Sequence, residues 1–135
     1  MTIELHRIGA TPMAQTLTIR SHALRVDGTA AEGGDDSGPN PHDLYDAALG
    51  ACKALTLLWY ARRKGLSVDD VHTVVERDAS AERSGTYRLA TRLEVSGDLS
   101  DAQLAELVAV AQKCPVHKLM TQVTTEISTT VQRLP

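Results

Sequence analysis

Apolar and polar residues alternate at both ends of this chain. Residues 2–8 and 13–26 carry short alternating runs, among them Thr16-Leu17-Thr18-Ile19 and His22-Ala23-Leu24-Arg25-Val26. A period of two marks a strand with one covered face, so these runs predict an N-terminal meander. Near the C-terminus Val123, Thr125, Ile127, Thr129 and Val131 alternate with Gln122, Thr124, Glu126, Ser128 and Thr130, which predicts a half-buried final strand. Residues 71–76 and 86–96 read as a hairpin with its turn in ASAERSG. Tyr87, Leu89, Leu93 and Val95 lie on one face of the second strand, and Arg88, Arg92 and Glu94 on the other.

Between these strands the period changes to that of helices. Asn40 can cap free amides, Pro41 suits the first helical position, and Asp43 in the first turn favours the positive end of the helix dipole. The helix they start is predicted to run to Lys64, where Gly65 stops it. Leu44, Ala47, Ala48, Ala51, Leu55, Leu58 and Trp59 recur at three and four, while Leu49, Ala54 and Leu57 fill much of the opposite side. Such a helix, apolar nearly all round, is predicted to be buried. Arg62-Arg63-Lys64 then form a cationic C-terminus. A second helix begins at the Ser100/Gln103 capping box and carries a single apolar stripe of Leu104, Leu107, Val108 and Ala111. The segment 27–40, DGTAAEGGDDSGPN, is too polar to bury and reads as a long loop. Its GGDDSG run has neither the strand-to-helix setting of a dinucleotide loop nor the alternating acids of a calcium loop, and reads as a turn.

At 135 residues, with no repeat and no long linker, the chain is expected to form one domain, 1–135, of mixed α/β (α+β) class. The balance of 14 Lys+Arg against 17 Asp+Glu supplies no basic face for nucleic acid. Asp46 and Lys53 interrupt the richest apolar stretch, so no membrane span is expected, and MTIELHRIGA lacks the pattern of an export leader. The expected location is cytoplasmic. In that reducing setting two cysteines, Cys52 and Cys114, are more naturally a transient dithiol couple than a structural bridge. His6, His22, His42, His72 and His117 show no metal-ligand spacing, so neither metal nor cofactor is expected. His42 reads first as a solvated first-turn residue, and His117 with Lys118 as a polar helix face ahead of a proton-transfer role.

The stretches GPNPHDLYDAALGACKALTL and SDAQLAELVAVAQKCPVHKLM, with the strand pair between them and the last strand, resemble the OsmC/Ohr family of osmotically induced and organic-hydroperoxide-resistance proteins. The most specific pieces are the Asn-Pro helix around Cys52 and the Cys-Pro-Val element at Cys114. The resemblance implies antiparallel sheets around a long buried central helix, in an intertwined homodimer. It also implies a thiol peroxidase acting on a small or fatty organic hydroperoxide, with Cys52 as the attacking thiol, Cys114 as the resolving one and a dithiol reductant, lipoyl-type in the family. A sensing or ligand-binding member of the fold with little turnover is the alternative.

Local physics orders the two thiols the other way. Cys114 stands where a helix is expected to start at Pro115, whereas Cys52 lies in mid-helix among apolar residues. The chain also departs from the family pattern. Well-studied members place a Glu after Asn-Pro and pair it with an upstream Arg; here His42 follows Pro41, with Asp43 next, and Arg20 and Arg25 are the nearby upstream arginines. His42 precedes Cys52 by ten residues, about 15 Å along a straight helix. Contact between the two would require a bend, for example near Gly50, or a partner chain.

Overall fold

The computed structural model describes residues 1–135 and contains both kinds of element in the expected order. Strands β1 (Ile3–Arg7), β2 (Gln15–Ile19) and β3 (His22–Val26) form an antiparallel sheet in sequence order, with Leu5 opposite Leu17 and Leu17 opposite Leu24. Helix α1 (Pro41–Lys64) follows, then the paired strands β4 (Asp70–Asp78) and β5 (Arg88–Ser96), then helices α2 (Asp101–Ala111) and α3 (Pro115–Thr121). The chain divides into two compact units, one of residues 1–48 with 75–90 and one of residues 49–74 with 91–135. No helix is long and apolar enough to cross a membrane.

In the first unit a buried carboxylate organises the polar loop. Asp27, 2% exposed, accepts hydrogen bonds from the amides of Gly28 (2.8 Å), Asp35 (3.2 Å) and Ser37 (3.0 Å) and from the Ser37 hydroxyl (2.6 Å). Gly34 lies so close to the Gly28 carbonyl that a Cβ would overlap it, which requires glycine there. The loop delivers Asn40 to the start of α1. Its Oδ1 accepts from the Asp43 amide (2.9 Å), Asp43 Oδ2 accepts from the Asn40 amide (3.0 Å), and its Nδ2 donates to Glu32 (2.9 Å). This reciprocal cap satisfies amides that the first helical turn leaves open.

The second unit holds an aliphatic core of Leu57, Ala61, Leu107 and Ala111, against which Leu66, Leu93, Val95 and Leu99 pack. Burying Leu57 and Leu107 stabilises the fold by about 1.5–3 kcal/mol each. Ser100 and Gln103 form the expected capping box on α2. Gly97, at φ 142°, packs its Cα against the Ser67 carbonyl, which no side chain would permit.

One chain covers the central helix only in part, and the expected final strand is corrected. Helix α1 keeps its expected limits, but only Asp46, Leu49, Gly50, Lys53, Leu57 and Ala61 are buried along it. Leu55 (66% exposed), Leu58 (42%) and Trp59 (60%) remain largely open in the single chain. Residues 124–135 form no strand, and Ile127 and Val131 are 82% and 95% exposed. Alternation specifies which face a strand would bury, but a strand also needs a neighbour's edge for its amides and carbonyls, and this segment has none in the chain.

Hydrogen bonds from Ser37, its hydroxyl before its amide, hold the Asp27 carboxyl below its ordinary value of 3.8 against the opposing effect of burial. A carboxyl lowered on folding contributes stability above its unfolded pKa and loses it as pH falls through the folded one. Asp27→Asn should therefore melt below the parent at neutral pH, and the gap should close as the pH is lowered through the acid range. Melting curves across that range test this, and a gap independent of pH would contradict it.

Candidate active site

The two thiols come together in the second unit. Cys52 is half-buried on α1, and Cys114 is fully buried at the residue before α3, with both sulfurs free. The Val116 amide donates to Cys52 Sγ at 3.5 Å, joining the first turn of α3 to the middle of α1. Cys114 lies two residues before Val116, so it belongs to the segment that meets Cys52. Burial pushes the Cys114 thiol up; the His117 backbone amide and the Lys53 charge lower it, and the neighbouring Cys52 sulfur raises it further. Burial thus opposes the helix-start argument for a reactive Cys114. Of the two residues, Cys52 is the more exposed.

Lys53 adjoins this pair. It is 5% exposed, and its ammonium donates to the Ala111 carbonyl at 3.2 Å and meets His117 Nδ1 at 3.0 Å. A cavity of about 400 Å³ opens beside it, walled by Leu57, Leu93, Leu104 and Leu107 and also lined by Arg92.

The remaining candidates belong to the first unit. His42 Nε2 lies 2.9 Å from Glu82 Oε1, and its ring packs edge-on to Tyr87. These residues, with Pro41 and Tyr45, line a pocket of about 380 Å³. Asp43 pairs with Arg77 at 2.7 Å, and the same guanidinium reaches the buried Asp46 at 2.5 Å; the Tyr87 hydroxyl donates to Asp46 at 2.7 Å. The Arg77 hydrogen bond is the main reason that the Asp43 carboxyl is lowered. Arg25 donates to Ser37 Oγ at 2.8 Å, and Arg20, at φ 54°, is exposed between β2 and β3. Helix α1 runs unbroken through Gly50. Nowhere do three or more His, Cys, Asp or Glu side chains gather as a metal would require.

The family model for OsmC-like proteins matches residues 34–129, a span containing both cysteines. The chain belongs to the OsmC-like family. Solved structures agree on the fold. An OsmC-like protein from Mycoplasma pneumoniae superposes with a TM-score of 0.70 at 16% identity, over 91% of this chain and 89% of that one. An organic hydroperoxide resistance protein OsmC from Legionella pneumophila gives 0.64 at 22%, over 90% of each chain. The organic hydroperoxide resistance protein OhrB of Bacillus subtilis gives 0.59 at 24%, over 90% of this chain and 92% of that one. Among curated proteins none matches the sequence.

Several residues around this OsmC-like site escape a reading of the sequence. Lys53 looks there like a charge interrupting an apolar run, although its place next to Cys52 with apolar residues on both sides was the available signal. Arg77, Glu82 and Tyr87 come from the hairpin, and no local pattern connects them to the start of α1. His117, three residues after Cys114, is not solely a polar surface group, since Lys53 holds its ring.

Proposed function

We propose that this OsmC-like protein is a cysteine-dependent thiol peroxidase that reduces organic hydroperoxides. One observation carries the reading: two free thiols side by side, one half-buried and one fully buried. The names of the Legionella and Bacillus structures point the same way. Cys52, as thiolate, attacks a peroxide oxygen; the S–O bond forms, the O–O bond breaks, and the departing alkoxide takes a proton to become the alcohol. Cys114 gives up its proton and attacks the resulting sulfenic sulfur. The S–S bond forms and hydroxide leaves, protonated to water. A dithiol, of lipoyl type by the family resemblance, then attacks the Cys52 sulfur and expels Cys114, and its second thiol closes its own disulfide and releases Cys52 from the mixed disulfide. A reducing compartment such as the cytoplasm suits a couple that must be regenerated at each cycle.

The assembly we propose is a homodimer. Leu55, Leu58 and Trp59 leave one face of α1 uncovered, and a second copy would bury it. Sedimentation at micromolar concentration should give a single dimeric species, and a stable monomer would contradict the assembly.

For the chemistry, one equivalent of cumene hydroperoxide should consume both thiols and lower the mass of the chain by two hydrogens. Cys114→Ser should instead stop at a sulfenic or further oxidised Cys52. Intact-mass spectrometry with thiol titration distinguishes these products. Two thiols still free after excess peroxide would favour the sensing or ligand-binding alternative.

A further inference from the structure

Lys53 has no role in the chemistry described so far, yet its position is costly. Its side chain is 5% exposed, and the two acceptors that hold it, the Ala111 carbonyl and the His117 ring nitrogen, carry no negative charge. An ammonium removed from water loses solvation that uncharged acceptors replace only in part. The placement of those acceptors is informative. Ala111 and His117 lie three residues before and three residues after Cys114, so one ammonium bridges the ends of the segment that has the buried sulfur at its centre. Two of its three N–H bonds are accounted for.

Cys114 presents the complementary problem. It is 0% exposed, so a negative charge formed on its sulfur has no access to water. The couple needs that charge twice: when Cys114 attacks the sulfenic sulfur of Cys52, and when it departs as the reductant opens the disulfide at Cys52. We propose that Lys53 is the built-in counter-charge of the Cys114 sulfur, a positioning residue that makes this thiol competent both to resolve the sulfenic acid and to leave the disulfide. The idea rests on the thiol-couple reading and extends it to a residue outside the dithiol itself. An interaction that is strongest when the sulfur is charged lowers both barriers without needing to hold the neutral thiol.

The other groups facing this site are few. Helix α1 contributes Cys52 and Lys53, α2 contributes the uncharged Ala111 carbonyl, α3 contributes His117, and β5 places Arg92 on the cavity that Lys53 lines. The Lys53 charge lowers the Cys114 thiol against the larger effect of burial. The His117 ring meets Lys53 at Nδ1.

The test is a thiolate titration by ultraviolet absorbance in Cys52→Ser, which isolates Cys114, with the protein lacking both cysteines as the baseline. Adding Lys53→Met should raise the Cys114 midpoint by about one pH unit or more, equivalent to about tenfold less thiolate at neutral pH. Lys53→Arg should keep most of the parent behaviour. Lys53→Gln, which can still donate to the Ala111 carbonyl, serves if the methionine variant fails to fold. With both cysteines present, Lys53→Met should slow disulfide formation after peroxide about tenfold at neutral pH, so that a dimedone adduct at Cys52 accumulates. An unshifted midpoint would overturn the role of Lys53 whatever the turnover. A Lys53-dependent midpoint in a protein that does not react with peroxide would leave this role standing and contradict the peroxidase reading alone.

Discussion

One buried ammonium fixes the meeting of two distant parts of the chain. Lys53 binds the last carbonyl of α2 and a ring on α3, and the Val116 amide reaches the Cys52 sulfur from the same side. Cys114 is thereby held against the middle of α1. Bringing residues so far apart in sequence together costs chain entropy, which the aliphatic core of Leu57, Ala61, Leu107 and Ala111 offsets. The core sets α2 against α1, and the lysine contacts then locate the short segment that follows.

The site is asymmetric, with one thiol half-buried and the other fully buried. Equal thiols would compete for the peroxide, and either could end as the trapped sulfenic acid. Here Cys52 is the more exposed, and burial raises the Cys114 thiol. In the proposed cycle this difference in burial is the reason for giving attack to Cys52 and resolution to Cys114. At the start of α1, His42 stands where well-studied members of the family carry a glutamate. It is bound to Glu82, while Asp43 and Asp46 share Arg77. In that first unit the paired guanidinium comes from strand β4, and neither Arg20 nor Arg25 takes part.

The elements that local chemistry dictates were legible in the sequence. Asn40, Pro41, Asp43 and Gly65 delimit α1, the Ser100/Gln103 box starts α2, and period-two runs give β1, β2, β3 and β5. The final strand was not, because alternation at 123–131 carries no information about an edge to pair with. The apolar excess of α1 stands out in the sequence, but that Leu55, Leu58 and Trp59 are the residues a single chain leaves open is set by packing. In the site, the two cysteines could be picked out by residue type. The Lys53–His117 contact and the Arg77 fork join residues dozens of positions apart with no shared pattern, and only the packed structure reveals them.

The central claim is that Cys52 and Cys114 cycle as a dithiol couple that removes organic hydroperoxide. Steady-state consumption of cumene hydroperoxide with dihydrolipoamide as the electron donor tests it most directly. Many turnovers per chain are expected, with one dithiol oxidised for each peroxide reduced, and none when Cys52 is replaced by serine. Consumption that is absent in the parent, or undiminished in Cys52→Ser, would contradict it.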